Sequence, residues 1–126
     1  MKALYIPTGL LVLMLGLSLW TGRYVQLRTD HWSALLSQAE KAADAGNWDE
    51  ALRQLEGARK DWDKSQTFFH TIIEHQELDG AELSLIGALA ACREQDNEDF
   101  HILISQLLGQ LEHLAETQAV SIKNVL

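Results

Sequence analysis

Phe100-His101-Ile102-Leu103-Ile104-Ser105-Gln106-Leu107-Leu108-Gly109-Gln110-Leu111-Glu112-His113-Leu114 is the stretch on which the fold turns. Its apolar residues at Phe100, Leu103, Ile104, Leu107, Leu108, Leu111 and Leu114 recur every three or four positions. That period puts them on one side of an α-helix, whereas a strand needs strict alternation. A helix with one greasy face must cover it with another surface, so the segment predicts neighbours of the same kind.

Those neighbours are found upstream. A helix opening near Asp30, which can cap it, carries Trp32, Leu35, Leu36, Ala39, Ala42 and Ala43 and stops at Ala45-Gly46-Asn47. A second starts at Trp48 or Asp49 and carries Trp48, Ala51, Leu52, Leu55, Ala58, Trp62, Phe69, Ile72 and Ile73. No breaker appears in it before about His75, which makes it about 40 Å long at 1.5 Å per residue. Leu78-Asp79-Gly80 reads as the next kink or boundary. A third helix holds Leu78, Leu85, Ile86, Leu89 and Cys92, and Glu94-Gln95-Asp96-Asn97 is the turn before the fourth. In the tail, Val120, Ile122, Val125 and Leu126 are apolar enough to pack back on the rest. No segment alternates as a strand does between Gly or Pro boundaries. The fold class expected is all-α: an N-terminal transmembrane helix, then an antiparallel bundle of about four helices in helical hairpins.

From Ala3 to Gly22 there is no charged residue. About 20 such residues in a helix cross a hydrocarbon core of about 30 Å. Pro7 sits near the start, where a missing N–H matters least, and Trp20 and Tyr24 sit at the far end, where amphipathic rings favour an interface. A signal peptide cleaved near Gly16-Leu17-Ser18 is the rival reading. It would leave Leu19 and Trp20 at a new exposed end, so an uncleaved single-pass anchor is expected. The division is 1–28 for the anchor with its flanks and 29–126 for the bundle. Lys2 stands against Arg23 and Arg28, so the charge bias across the span is nearly even. A short N-terminal tail that stays inside places the bundle outside the cytoplasm, at the cell membrane.

The chain has 126 residues, is 47% apolar and carries net charge −8. One Pro and eight Gly argue against a turn-rich β fold, and one Cys excludes a disulfide framework or a Cys-cluster zinc site. The acidic balance excludes the nucleic-acid backbone as a partner. Without Lys2, Arg23 and Arg28, the part from Thr29 onward carries about −11, which predicts that it stands off an anionic bilayer. Cys92 lies among helical apolar neighbours and reads as a buried thiol.

Ala39-x-x-Ala42-x-x-x-Gly46-Asn47-Trp48-Asp49-Glu50-Ala51-Leu52-x-x-Leu55-x-x-Ala58 looks like the middle of a tetratricopeptide repeat. Trp48, Ala51, Leu55 and Trp62 are its helix-packing residues. The early aromatic and the closing Pro of that repeat are missing, and a single copy cannot build a solenoid groove. A shift of 52 residues also lays Trp48, Leu52, Leu55 and Trp62 over Phe100, Ile104, Leu107 and Leu114.

Possible chemistry is confined to His70-Thr71-Ile72-Ile73-Glu74-His75-Gln76-Glu77-Leu78-Asp79. On one continuous helix His70, Glu74 and Glu77 share a face, and imidazoles with carboxylates can bind a divalent metal or serve a sensing domain. The plainer reading is that His70, Glu74, His75, Glu77 and Asp79 cap and hydrogen-bond a helix junction. Glu98-x-x-His101 has a spacing used in di-iron bundles, which require two such motifs; one is present. There is no P-loop, G-x-S-x-G, H-E-x-x-H or dinucleotide fingerprint. A non-catalytic interaction or structural module with no cofactor is expected. Its partners would be lipid through the first helix and a protein or a second copy through a patch at Trp32, Phe68 and the C-terminal apolar residues.

The N-terminal apolar segment, Trp48-Asp49-Glu50-Ala51, Trp62-Asp63-Lys64, His75-x-Glu77-Leu78-Asp79, Glu82-x-Ser84-Leu85 and the ending Ser121-Ile122-Lys123-Asn124-Val125-Leu126 occur in that order. Taken together, the chain resembles the bacterial family called domain of unknown function 4363 over nearly its whole length. The resemblance implies a small membrane-anchored helical protein, chiefly of Gram-positive spore-forming bacteria, and implies no activity. It also singles out His75, Glu77 and Asp79; on physical grounds Glu77 or Asp79 is expected to cap the third helix and His75 to bond across to a neighbouring helix.

Overall fold

The computed structural model describes residues 2–73 and 75–125, with side chains except at positions 2, 72 and 119–125. Four helices follow one another: α1 (Lys2–Asp44), α2 (Trp48–Ile72), α3 (His75–Arg93) and α4 (Asn97–Val125). Each runs antiparallel to the next. α1 packs on α2 and α4, and α3 packs on α2 and α4, so the four close into a ring around one core.

Two boundaries differ from the sequence reading. α1 does not begin near Asp30 but runs unbroken from the apolar segment into the bundle. Nothing between Arg23 and His31 breaks a helix, and Asp30, rather than capping, accepts a bond from the Gln26 side chain at 2.9 Å. Leu78-Asp79-Gly80 is not a boundary; it lies inside α3. The chain turns instead at Ile73, whose extended backbone (φ −119°, ψ 144°) ends α2. Gly80 has another role. A Cβ there would sit 3.3 Å from Gln110 Nε2, so the glycine leaves room for the tip of that α4 side chain.

The core rows show why the helices fit. Buried positions step by four and three along α1 (Val25, Thr29, Trp32, Leu36, Ala39, Ala43) and α2 (Ala51, Leu55, Ala58, Trp62, Ser65, Phe69). The same steps recur on α3 (Leu78, Ala81, Leu85, Ala88, Cys92) and α4 (Phe100, Ile104, Leu107, Leu111, Leu114). A mean spacing of about 3.5 keeps each seam facing its neighbours, as in coiled-coil packing. Cys92 is buried as expected, and burial raises its thiol pKa, with the Arg93 charge opposing.

The two hairpins repeat at 49 residues rather than 52. In the first turn, Ala45, Gly46 and Asn47 N–H groups bond the Lys41, Ala43 and Ala42 carbonyls. In the second, Glu94, Gln95 and Asp96 bond Ala90, Cys92 and Ala91 in the same pattern. Asn47 and Asp96 side chains then each cap the third residue onward, at Glu50 and Asp99. On this register Trp32, Leu36, Ala39 and Ala43 fall on Ala81, Leu85, Ala88 and Cys92, all buried. Amphipathic stripes cannot distinguish shifts that differ by about one helical turn; the turns can.

Gly46 (φ 79°) and Gln95 (φ 56°) occupy equivalent left-handed positions. Glycine adopts that backbone freely, and a side chain there costs about 1–2 kcal/mol, partly offset by glycine's larger entropy loss. Gln95→Gly should therefore raise stability by about 0.5–1 kcal/mol. A urea midpoint equal to or below that of the parent would contradict this.

Before Val25 the picture changes. Leu10, Leu11, Val12, Leu13, Met14 and Leu17 are all exposed, although α1 there is long and apolar enough to cross a membrane. Near its start, Thr8 Oγ1 donates to the Leu4 carbonyl at 2.7 Å, one turn back, beside Pro7, which lacks an N–H of its own.

Candidate functional site

The break at Ile73 divides the polar cluster between two helices. His70 lies in the last turn of α2, and His75 is the first residue of α3. Their Nδ1 atoms are 2.8 Å apart and their ring centroids 4.7 Å apart, so one ring donates to the other across the junction. His75 thus does reach a neighbouring helix. His70 and Glu77 do not share a face, because they are on different helices; Glu74 lies outside the described residues. Glu77 and Asp79 sit within α3 rather than capping it. Glu77 Oε1 meets His113 Nε2 of α4 at 3.2 Å, and Asp79 is exposed.

Glu77 and His113 line an open groove of about 370 Å³ between α3 and α4, with Gly80, Gln106 and Gln110 beneath it. Gln106 donates to the buried Ser84 hydroxyl at 3.1 Å. Such a surface can hold water or the polar edge of a partner. Among the described residues no three of His, Cys, Asp and Glu converge as metal ligands would. Glu98-x-x-His101 likewise does not act as a pair. His101 is turned toward α1, with Nε2 2.8 Å from Asp44 Oδ1 and Nδ1 3.2 Å from Glu40 Oε2. Each ring nitrogen faces a carboxylate of α1, so His101 ties α4 to α1.

The packing residues are where the sequence puts them. Ala51 and Leu55 are fully buried, and Trp62 lies edge-on to Trp32 at 5.0 Å. Trp48 packs edge-on to Phe100 at 5.4 Å, and Cys92 Sγ lies 3.7 Å from its carbonyl oxygen. Trp32 is not part of an exposed patch. It is 2% exposed, because its indole fills the α1–α2 core. Phe68 is half-buried, and the C-terminal apolar side chains lie outside the described residues. Among the described residues the exposed large aliphatic side chains of the bundle are instead Leu27, Leu83, Ile86 and Ile102.

Two groupings had no local signal in the sequence. Asp61 of α2 accepts Trp32 Nε1 at 2.7 Å and both of its oxygens take Arg28 Nη1 at 3.0 and 3.1 Å. Arg28 Cζ also lies 5.5 Å from the centre of the Tyr24 ring. Hydrogen bonding to Tyr24, then the charge of Asp61, hold the guanidinium pKa above its ordinary value against partial desolvation. Further toward the N-terminus, Trp20, Tyr24 and Phe68 form an aromatic knot. Trp20 stacks on Tyr24 at 5.9 Å, and Phe68 meets Tyr24 edge-on at 4.6 Å.

A family model described as domain of unknown function (DUF4363) matches residues 19–125. No curated protein and no solved structure matches the chain.

Proposed function

The chain belongs to the DUF4363 family, and because that membership carries no activity with it, we propose from the structure that the protein is a single-pass membrane-anchored, non-catalytic interaction module of the cell envelope. The observation behind this reading is the exposed apolar run of α1, which in water would leave about a dozen large hydrophobic side chains uncovered. Lipid covers such a surface, and the remainder of the same helix is half of a hairpin in the bundle. The grooves on the bundle are open, and the contacts of His70, His75, His101 and His113 are those of helix ties. Leu83, Ile86 and Ile102, on α3 and α4, offer aliphatic contact to a protein partner. In this reading the bundle stands outside the cytoplasm.

Chemical crosslinking in intact membranes, followed by mass spectrometry, tests this. The expected result is a reproducible crosslink from α3 or α4 to one protein or to a second copy, reduced by Leu83→Glu or Ile102→Glu. Crosslinks to no protein, or crosslinks that ignore both substitutions, would overturn it.

A further inference from the structure

We infer that the end of the bundle formed by the α2–α3 junction is a lipid-contact surface seated in the headgroup layer; this rests on the anchor reading above. The uncharged run Ala3–Gly22 has the length of a hydrocarbon core, so the polar layer begins near Gly22. That layer is about 5–8 Å deep on each side, or about one helical turn. Tyr24 falls inside it, and Val25, the next residue, is already fully buried in the bundle. α1 has no break between the two, so no linker lifts the bundle away.

Ring contacts fix the level of α2. Phe68 lies 4.6 Å and Phe69 6.1 Å from the Tyr24 ring. α2 runs antiparallel to α1, so His70, Thr71 and His75 are at the depth of Tyr24 or closer to the hydrocarbon. Trp20 and Tyr24 then sit at the interface, as rings with a polar edge favour, and Phe68 of α2 packs against both.

The net charge opposes this placement less than the total of −11 suggests, because part of it lies at the far end. Asp44, Asp49, Glu94, Asp96, Glu98 and Asp99 cluster at the opposite end, around the two equivalent turns. The length of α2 from Trp48 to Phe69 puts them about 30 Å away, about three screening lengths. The near end carries exposed Arg23, half-buried Arg28 and the exposed His70–His75 pair. Its acidic groups are Glu74, between the two histidines in the sequence, exposed Asp79 early in α3, Asp30, beside Gln26, Asp61, held by Arg28, Glu77, held by His113, and Glu116, on α4. The stand-off expected from −11 treats the bundle as a uniform charge, which it is not.

The full chain, reconstituted in vesicles of phosphatidylcholine with a minor share of phosphatidylglycerol, carries one nitroxide at a time on cysteine introduced at exposed positions: Leu13→Cys, Thr71→Cys, Gln76→Cys and Asn97→Cys. The parent chain, whose single Cys92 is buried, is the labelling control. Collision rates with oxygen and with a water-soluble nickel chelate report depth. The inference expects Thr71→Cys and Gln76→Cys to be several-fold less accessible to the chelate than Asn97→Cys, and intermediate between it and Leu13→Cys. If Leu13→Cys is lipid-embedded while positions 71 and 76 match 97, the headgroup seat is wrong and the anchor stands. If Leu13→Cys also matches 97, both are wrong.

Discussion

Phe69→Ala should cost about 3–5 kcal/mol, the range for emptying a phenylalanine site in a packed core. Phe69 is fully buried. Its ring lies 5.4 Å from Trp32, 6.4 Å from Trp62 and 6.1 Å from Tyr24, so it joins α2 to α1 near the level at which the apolar run ends. Collapse around the void is limited, because the neighbouring rings are held by one another and by Asp61. Against a whole-domain stability of about 5–15 kcal/mol, the loss is a large fraction. It is read from urea unfolding in detergent, followed by tryptophan fluorescence, with exposed Leu83→Ala as the control expected within about 0.5 kcal/mol of the parent. Equal losses from the two would show that Phe69 does not organise the core.

The second large effect belongs to Asp61→Ala. Trp32 Nε1 would lose its acceptor inside the core, worth about 1.5–3 kcal/mol for a bond to a charged group. The ion pair with Arg28 is partly exposed on both sides and adds up to about 1 kcal/mol. A total of about 2–4 kcal/mol is expected. Asp61→Asn separates the parts. It keeps an oxygen for the indole and loses the charge, so it should recover half or more of the loss. Arg28→Met should cost no more than about 1 kcal/mol. If Asn is as damaging as Ala, the indole bond is not what Asp61 contributes.

The helices were legible wherever local pattern decides them. The stripe through Phe100 and Leu114, the stop at Gly46 and the turn at Glu94–Asn97 all follow from side-chain spacing and backbone freedom. What was not legible depends on contacts between distant segments. Asp30 has the composition of a cap, but a helix already under way and packed on α4 has no need of one. Gly80 looks like a breaker until α4 is placed against it. The end of α2 falls at Ile73, which carries no turn chemistry of its own. The candidate site shows the same division. His70 and His75 do meet, but on two helices. His101 and Asp61 find partners on α1 that are 61 and 33 residues away along the chain, a separation no spacing rule covers.

The central claim is that one helix lies in lipid over its first five turns and belongs to the bundle over the rest. The intact mass of the chain extracted from membranes tests it most directly. Residues 3–20 should be retained in the extracted mass, in a form that stays with the membrane through an alkaline wash. A shortened chain beginning near Leu19, released into the wash, would contradict it.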